Sequence, residues 1–121
     1  MSDFYLDKVK EFHRALYGTD APEEFITKDV ALCRLRLIVE EVGELSKAMH
    51  ENDRIKVADG LADLLYVIYG AAIVYGIPIA PVFDEIHRSN MSKDFPDDTD
   101  RGKKSARKGS RYFPPDLQGL F

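Results

Sequence analysis

The sequence has one cysteine and lacks a signal-like N-terminus. With Cys33 as the single cysteine among 121 residues, no internal disulfide can form. Such a cysteine content is typical of proteins from a reducing compartment. The first residues, MSDFYLDKVKEF, mix acids and bases and lack the basic-then-apolar layout of a secretory signal. We therefore expect a cytoplasmic protein in which Cys33 is an ordinary packing residue.

The sequence also lacks a long uninterrupted apolar run. The longest, residues 64–79, contains two glycines and a proline and comes soon after Asp59 and Asp63. A membrane-spanning helix needs about 20 consecutive apolar residues, so this run is short for that purpose. We expect it to form a core helix of a protein with no membrane partner.

A basic face is missing as well. The net charge is −4, and residues 1–95 carry 11 Lys and Arg against 17 Asp and Glu. Residues 96–121 carry 6 against 4, which makes the end of the chain mildly basic. A dedicated nucleic-acid binder should present a strongly basic surface, so we expect no nucleic-acid partner. An acidic body does suit a metal ion that bridges to an anionic ligand.

The length allows one domain, residues 1–121, and the apolar spacing predicts four helices within it. Residues 94–121 are rich in charge and turn formers, so we expect a loop-like arm anchored by Tyr112 and Phe113 after a helical body of residues 2–93. The predicted helices run from Ser2 to about Leu16, from Thr27 or Asp29 to about Glu51, from Asp53 to about Tyr75, and from Ile79 to about Asn90.

The third predicted helix is apolar on nearly every side from Leu61 onward, so it should be the central and most buried element. The sequence therefore predicts an all-α, four-helix-bundle-like fold with an extended C-terminal arm. Because so apolar a helix is hard to cover in a chain this short, we expect a homodimer or homotetramer to complete the core. His13 and His50 are predicted to be ordinary surface residues.

Acidic residues recur at helical spacing on the second and third predicted helices. Glu41 and Glu44 point to one side of the second helix, and Asp59 and Asp63 share a face of the third. The short connection at Asn52 makes the two helices antiparallel neighbours, which brings these carboxylates together. Clustered carboxylates repel one another unless a hard cation such as Mg²⁺ neutralises them.

The alternative is an ordinary solvated face, in which Lys47 pairs with Glu44 or Glu40. The third helix favours a functional site, because Asp59 and Asp63 interrupt an otherwise core-like helix. Carboxylates placed there without partners would be costly.

Two segments carry a resemblance to a known family. EEVGEL at residues 40–45 and VADGLADLLYVIYG at residues 57–70 resemble the all-α nucleotide pyrophosphohydrolases. That superfamily includes MazG-like enzymes, dimeric dUTPases and phosphoribosyl-ATP pyrophosphohydrolase. HRSNMSK at residues 87–93 and YFPPDL at residues 112–117 are similar to a MazG-like subgroup. The resemblance covers about residues 35–117 and implies the same all-α fold.

The resemblance implies a metal-dependent cleavage of a nucleoside triphosphate to the monophosphate and pyrophosphate. The implied ion is Mg²⁺, with Mn²⁺ as the alternative, and Glu40 or Glu41 would accept a proton from the attacking water. Gly60 stands where the family pattern E-x-x-D has its glutamate, so Asp59 is the natural substitute. The implied metal ligands are Glu41, Glu44, Asp59 and Asp63.

Polar residues near the end of the fourth helix could contact the substrate phosphates. The competing interpretation is a helix C-terminus that favours basic residues because of the helix dipole. Two other functions stay open: phosphoribosyl-ATP pyrophosphohydrolase of histidine biosynthesis, and a non-catalytic helical module that binds nucleotide or metal. The predicted substrate-binding residues are Arg88, Asn90, Ser92 and Lys93.

Overall fold

The computed structural model describes residues 3–95 and 106–121. Within these ranges the chain is all-α, with four α-helices, one short 3₁₀ turn and no β-strand, as the sequence predicts. The elements are α1 (Phe4–Tyr17), α2 (Lys28–His50), α3 (Arg54–Tyr75), α4 (Ile79–Met91) and the 3₁₀ turn Gln118–Leu120.

Helix α1 begins at an aspartate cap and ends at a glycine. The Asp3 carboxylate accepts hydrogen bonds of 3.1 Å from the backbone N–H groups of Tyr5 and Leu6. Ser2, where the sequence predicts that the helix begins, lies outside the described residues. Gly18 adopts a left-handed conformation with φ of 78°, which a residue without Cβ reaches at little cost.

Helices α2 and α3 form an antiparallel hairpin with caps that the sequence predicts. The Thr27 hydroxyl accepts from the N–H of Val30, and the Asp53 carboxylate accepts from the first turn of α3. Between the helices, Asn52 takes a positive φ of 52°, which asparagine tolerates better than most residues. These features fix the hairpin on which the acidic residues stand.

The chain forms two compact units. The first, Met1–Ile77, contains α1, α2 and α3, with α3 packed against both other helices. The second, Pro78–Phe121, contains α4 and the C-terminal segment. The prediction of one domain over residues 1–121 stays a prediction.

Helix α3 is central in the first unit and has more buried residues than any other described helix, as predicted, although much of its surface is exposed. Its inward positions, Gly60, Gly70, Ala72 and Ile73, are buried. Its outer side is exposed. By length and composition α3 could cross a membrane, but core helices of soluble proteins pass the same test, and this one finding is weak evidence.

Exposed apolar side chains follow each other along the hairpin at spacings of three, four and seven residues. This spacing places them in one line along a helix and is typical of a helix–helix interface. The α2 stripe consists of Leu32, Leu35, Val39, Val42 and Met49. The α3 stripe consists of Leu61, Leu65, Ile68 and Tyr75.

In the second unit, the C-terminal segment is fastened to α4 through Phe113. The Ser89 hydroxyl donates a 2.8 Å hydrogen bond to the Phe113 carbonyl, and the Ser92 hydroxyl accepts one of 3.1 Å from the Phe113 N–H. The Arg88 guanidinium lies 4.4 Å from the centre of the Phe113 ring. Phe113 is therefore an anchor, as predicted, while the Tyr112 ring contacts the Lys108 ammonium at 5.2 Å. The part of the predicted arm at residues 96–105 lies outside the described residues.

Candidate active site

The hairpin brings three of the predicted metal ligands together. Glu41 and Glu44 lie one helical turn apart on α2, and Asp63 faces them from α3. One carboxylate oxygen from each residue lies within 4.8 Å of the other two. Glu41 and Asp63 are half-buried while Glu44 is exposed, so the cluster opens to solvent at one side. We name these three residues the carboxylate cluster.

Within the cluster, Glu41 has a carboxylate whose surroundings disfavour its negative charge. Its Oε2 atom is buried and has no hydrogen-bond partner among the described residues. Burial raises the pKa of the Glu41 carboxyl above its usual value. The remaining causes are the negative charges of nearby carboxylates, in decreasing order Glu44, Asp63, Asp59 and Glu40. A divalent cation would neutralise these charges and give the buried oxygen a partner, so the donor set fits such an ion.

The other two predicted acids lie beside the cluster without joining it. Asp59 is exposed and acts on Glu41 through its charge. Glu40 is also exposed, and its carboxylate lies 3.9 Å from the Arg36 guanidinium, a loose ion pair on the helix surface. Glu40 therefore lies beside the cluster with its carboxylate open to solvent.

Gly60, where the family pattern has a glutamate, is buried at the contact between α2 and α3. A Cβ atom there would lie 3.2 Å from the Cα atom of Leu45. The two helices approach each other so closely at this point that a larger side chain would have to displace one of them.

The predicted substrate-binding residues differ in what they contact. Arg88 donates hydrogen bonds of 2.6 and 3.0 Å to the Glu85 carboxylate, and the Ser92 hydroxyl is held by Phe113. Asn90 is exposed, and Lys93 lines a surface groove together with Arg111. Within residues 3–95 and 106–121, no carboxylate lies within 4.0 Å of the Lys93 ammonium.

The sequence prediction for His13 is wrong, because its side chain is buried, with 5% of the residue exposed. It lies beside Arg34, a buried arginine that the sequence analysis did not single out and that is 8% exposed. Helical spacing alone would have indicated that both residues face inward. His13 follows the buried Val9 by one turn, and Arg34 precedes Glu41 by two turns on the inward side of α2. His50 is exposed, as predicted.

A helical hairpin with acidic residues facing each other across it fits the all-α pyrophosphohydrolase class that residues 40–45 and 57–70 resemble. The sequence profile of the phosphoribosyl-ATP pyrophosphohydrolase family matches residues 9–90, and the chain belongs to that family. The match spans α2 and α3 and includes the whole carboxylate cluster. Membership supports a pyrophosphohydrolase-type activity for the chain.

One curated relative shares a shorter segment with the chain. It is "Uncharacterized protein L479" of Acanthamoeba polyphaga mimivirus, which is 52% identical over 44 residues. The similar segment makes up 36% of this chain and 18% of the viral protein. The chain thus matches only a small part of that protein, whose printed name states no activity.

Proposed function

We propose that the protein is a magnesium-dependent nucleoside triphosphate pyrophosphohydrolase, which converts a ribo- or deoxyribonucleoside triphosphate to its monophosphate and pyrophosphate. The observation that carries the proposal is the carboxylate cluster, in which the buried Glu41 oxygen has no hydrogen-bond partner in the described part of the chain. The resemblance of residues 87–93 and 112–117 to a MazG-like subgroup supports this substrate class.

In this proposal the cluster holds the ion. Glu41, Glu44 and Asp63 would provide oxygen ligands, which Mg²⁺ prefers, and would leave other positions of the ion open to water and phosphate. When bound, Mg²⁺ would supply positive charge to the phosphate oxygens and lower the pKa of the attacking water. Asp59 adds negative charge beside the site without being one of the three grouped ligands.

Glu40 acts as the general base. Among the described residues its exposed carboxylate makes a loose contact with Arg36, so it can turn toward a water molecule and accept its proton. The water oxygen forms a bond to the α-phosphorus, and the bond from that phosphorus to the α,β-bridging oxygen breaks. Pyrophosphate leaves with that oxygen, and the nucleoside monophosphate stays. Glu41 is committed to the ion and serves as a ligand.

Asn90 and Lys93 stay predicted phosphate contacts. The Lys93 ammonium, without a close carboxylate in the described part of the chain, is suited to bind an anion. Arg88 and Ser92 also stay predictions, although Glu85 and Phe113 already engage their polar groups.

Cleavage of phosphoribosyl-ATP is the second candidate, and the family match favours it. Both reactions break an anhydride bond next to an α-phosphorus and need the same carboxylates. An assay with each of the two substrates therefore distinguishes the two reactions.

We also propose that the protein self-associates through the α2 and α3 stripes. Two hairpins that face each other with these stripes would bury both in a four-helix interface. The support is the spacing of the exposed side chains along two neighbouring helices. Scattered surface apolar residues would not follow one line on each helix.

The test is product analysis with purified protein. It is incubated with each canonical ribo- and deoxyribonucleoside triphosphate and with phosphoribosyl-ATP, in Mg²⁺ and in excess chelator. Glu44→Gln and Asp63→Asn remove cluster ligands, while Glu24→Gln removes an exposed carboxylate from the loop before α2 as a matched control. We expect monophosphate and pyrophosphate from the wild type and Glu24→Gln, and none with chelator or in the cluster variants.

Two other results would each support a different function. Cleavage of phosphoribosyl-ATP alone would assign the second candidate. Retained Mg²⁺ binding without turnover of any substrate would identify a binding module.

A further inference from the structure

A cavity of about 210 Å³ lies in the first unit and is separate from the carboxylate cluster. It is set two helical turns from the cluster, since Arg34 precedes Glu41 by seven residues, about 10 Å along α2. The end of α1, the loop that follows it, the start of α2 and the end of α3 form its walls. Its lining includes His13, Tyr17, Glu23, Cys33, Arg34 and Val74.

Arg34 is the charged group in this wall that is buried. Among residues 3–95 and 106–121, no carboxylate lies within 4.0 Å of its guanidinium. Its one hydrogen bond to a described residue is donated by Nη2 to the Tyr17 hydroxyl, and at 3.4 Å it is long. Burying a guanidinium with five N–H donors is costly unless acceptors meet them. The cavity is the place where such acceptors can come from.

Gly70 of α3 makes this position available to Arg34. A Cβ atom at Gly70 would lie 2.8 Å from the Arg34 Nη1 atom and 3.1 Å from the His13 Nε2 atom. Any larger residue would therefore push the guanidinium or the imidazole away. The close fit places both nitrogen-bearing groups against the backbone of α3.

Among the other polar groups of the wall, the Tyr17 hydroxyl suits an anion. The Tyr17 hydroxyl accepts from Arg34, which leaves its own proton free to be donated to a ligand. Burial, and then the Arg34 charge, lowers the pKa of His13, while Asp20 opposes this. Glu23 is the one carboxylate in the lining, and it is exposed and forms no ion pair with Arg34.

We propose that this cavity is a binding site for a phosphate group, with the Arg34 guanidinium and the Tyr17 hydroxyl as donors. The cavity has a volume of about 210 Å³, whereas one water molecule occupies about 30 Å³ of liquid. The cavity therefore has room for a phosphate group and a small group attached to it. Free phosphate and a small phosphate monoester share this chemistry. The site does not depend on the proposed reaction, because none of its residues belongs to the carboxylate cluster.

Cys33 provides a local probe, since it is the single cysteine and lines the cavity. Its rate of alkylation by iodoacetamide is measured in excess chelator, with increasing inorganic phosphate or ribose 5-phosphate. Potassium chloride of equal ionic strength is the control. We expect either phosphate compound to slow alkylation saturably. The compound that saturates at the lower concentration identifies free phosphate or a monoester as the better ligand.

Variants show whether Arg34 and Tyr17 bind the anion. Tyr17→Phe removes one hydrogen bond to a charged group, so we expect about tenfold weaker binding by titration calorimetry. Glu23→Gln removes the exposed carboxylate and should tighten binding. Glu44→Gln should leave the protection of Cys33 unchanged, because it alters only the carboxylate cluster. Arg34→Gln should abolish binding; if that variant is unfolded by circular dichroism, Tyr17→Phe and Glu23→Gln decide.

Two results would overturn the proposal. Alkylation of wild-type Cys33 that is equally fast in phosphate and in chloride would show that no phosphate enters the cavity. Equal phosphate affinity in the wild type, Tyr17→Phe and Glu23→Gln would show that any bound phosphate lies elsewhere. In either case Arg34 would have a purely structural role.

Discussion

Gly60 of α3 lies directly against Leu45 of α2, so that a Cβ atom at position 60 would stand 3.2 Å from both the Cα and the Cδ1 atom of Leu45. We expect Gly60→Ala to lower the free energy of unfolding by about 1 kcal/mol. Overpacking costs about 1–3 kcal/mol and outweighs a gain of about 1 kcal/mol in helix propensity. Chemical denaturation of the metal-free protein measures the change.

Gly43 on α2 is the matched control, because a Cβ atom there would meet nothing within 4 Å. Gly43→Ala should raise the free energy of unfolding by up to about 1 kcal/mol through helix propensity alone. Equal stabilisation by both substitutions would mean that the helices separate easily at Gly60. The motif glutamate could then be restored there.

Glu41 should make the metal-free protein less stable at neutral pH. Its folded pKa lies above the unfolded value of 4.5, so stability falls as the pH rises from 4.5 through the folded pKa. Above that window the ionised carboxylate opposes folding. We expect Glu41→Gln to melt at a higher temperature than the wild type at pH 7 without metal, and the difference to vanish below pH 4.5.

Added Mg²⁺ should reverse that order. An ion at 100 times its dissociation constant stabilises a protein by about 2.7 kcal/mol. The wild type and the control Glu24→Gln should gain this stability, and Glu41→Gln should gain less. A melting temperature for Glu41→Gln that rises with Mg²⁺ as much as the wild type would remove Glu41 from the ligand set.

Glu85 should stabilise the second unit over a defined pH range. Hydrogen bonds from Arg88, and then from the Asp116 N–H, lower the pKa of its carboxyl to about 2. The stabilisation is therefore complete above the unfolded pKa of 4.5 and is lost as the pH falls through about 2. Hydrogen exchange of the Asp116 amide should be slower in the wild type than in Glu85→Gln at pH 6. The two protection factors should converge as the pH approaches 2, and a constant difference down to pH 2 would contradict this origin.

Self-association should depend on the two exposed stripes. A lysine in place of Val39 or Leu65 would place a charge in an apolar interface, so we expect either variant to shift from an oligomer to a monomer. Light scattering after size-exclusion chromatography measures the mass. Phe83→Lys is the control, because Phe83 is also exposed but lies on α4, outside both stripes. A monomeric wild type would refute the proposed interface.

The hairpin could be predicted from the sequence because local signals define it. Thr27 and Asp53 cap their helices, and helical spacing puts Glu41 and Glu44 on the side that faces Asp63. Burial was harder to predict, since α2 has apolar residues on two sides. Val39 is exposed, for example, while the neighbouring Ile38 is half-buried.

His13 and Arg34 show that residue type alone does not predict whether a single position is buried. Both residue types are common on surfaces, and neither is flanked by a motif. What buries them is the close approach of α3 at Gly70, a relation between three helices that no local pattern carries. The positions could be inferred from their spacing to Val9 and Glu41, but not the contact itself.

Ser92 is a predicted substrate contact whose hydroxyl already makes two hydrogen bonds within the second unit. Its hydroxyl donates to the Ser89 carbonyl at 2.6 Å and accepts from the Phe113 N–H at 3.1 Å, so both of its hydrogen-bonding roles are in use. We expect Ser92→Ala to speed hydrogen exchange of the Phe113 amide, with a loss of about 1 kcal/mol in local stability, and to change KM little. Lys93→Ala, which removes an ammonium without a close carboxylate in the described chain, should instead raise KM and leave that exchange unchanged. If Ser92→Ala raises KM as much as Lys93→Ala while the Phe113 amide stays protected, then the Ser92 hydroxyl binds substrate and the C-terminal segment is held by other contacts.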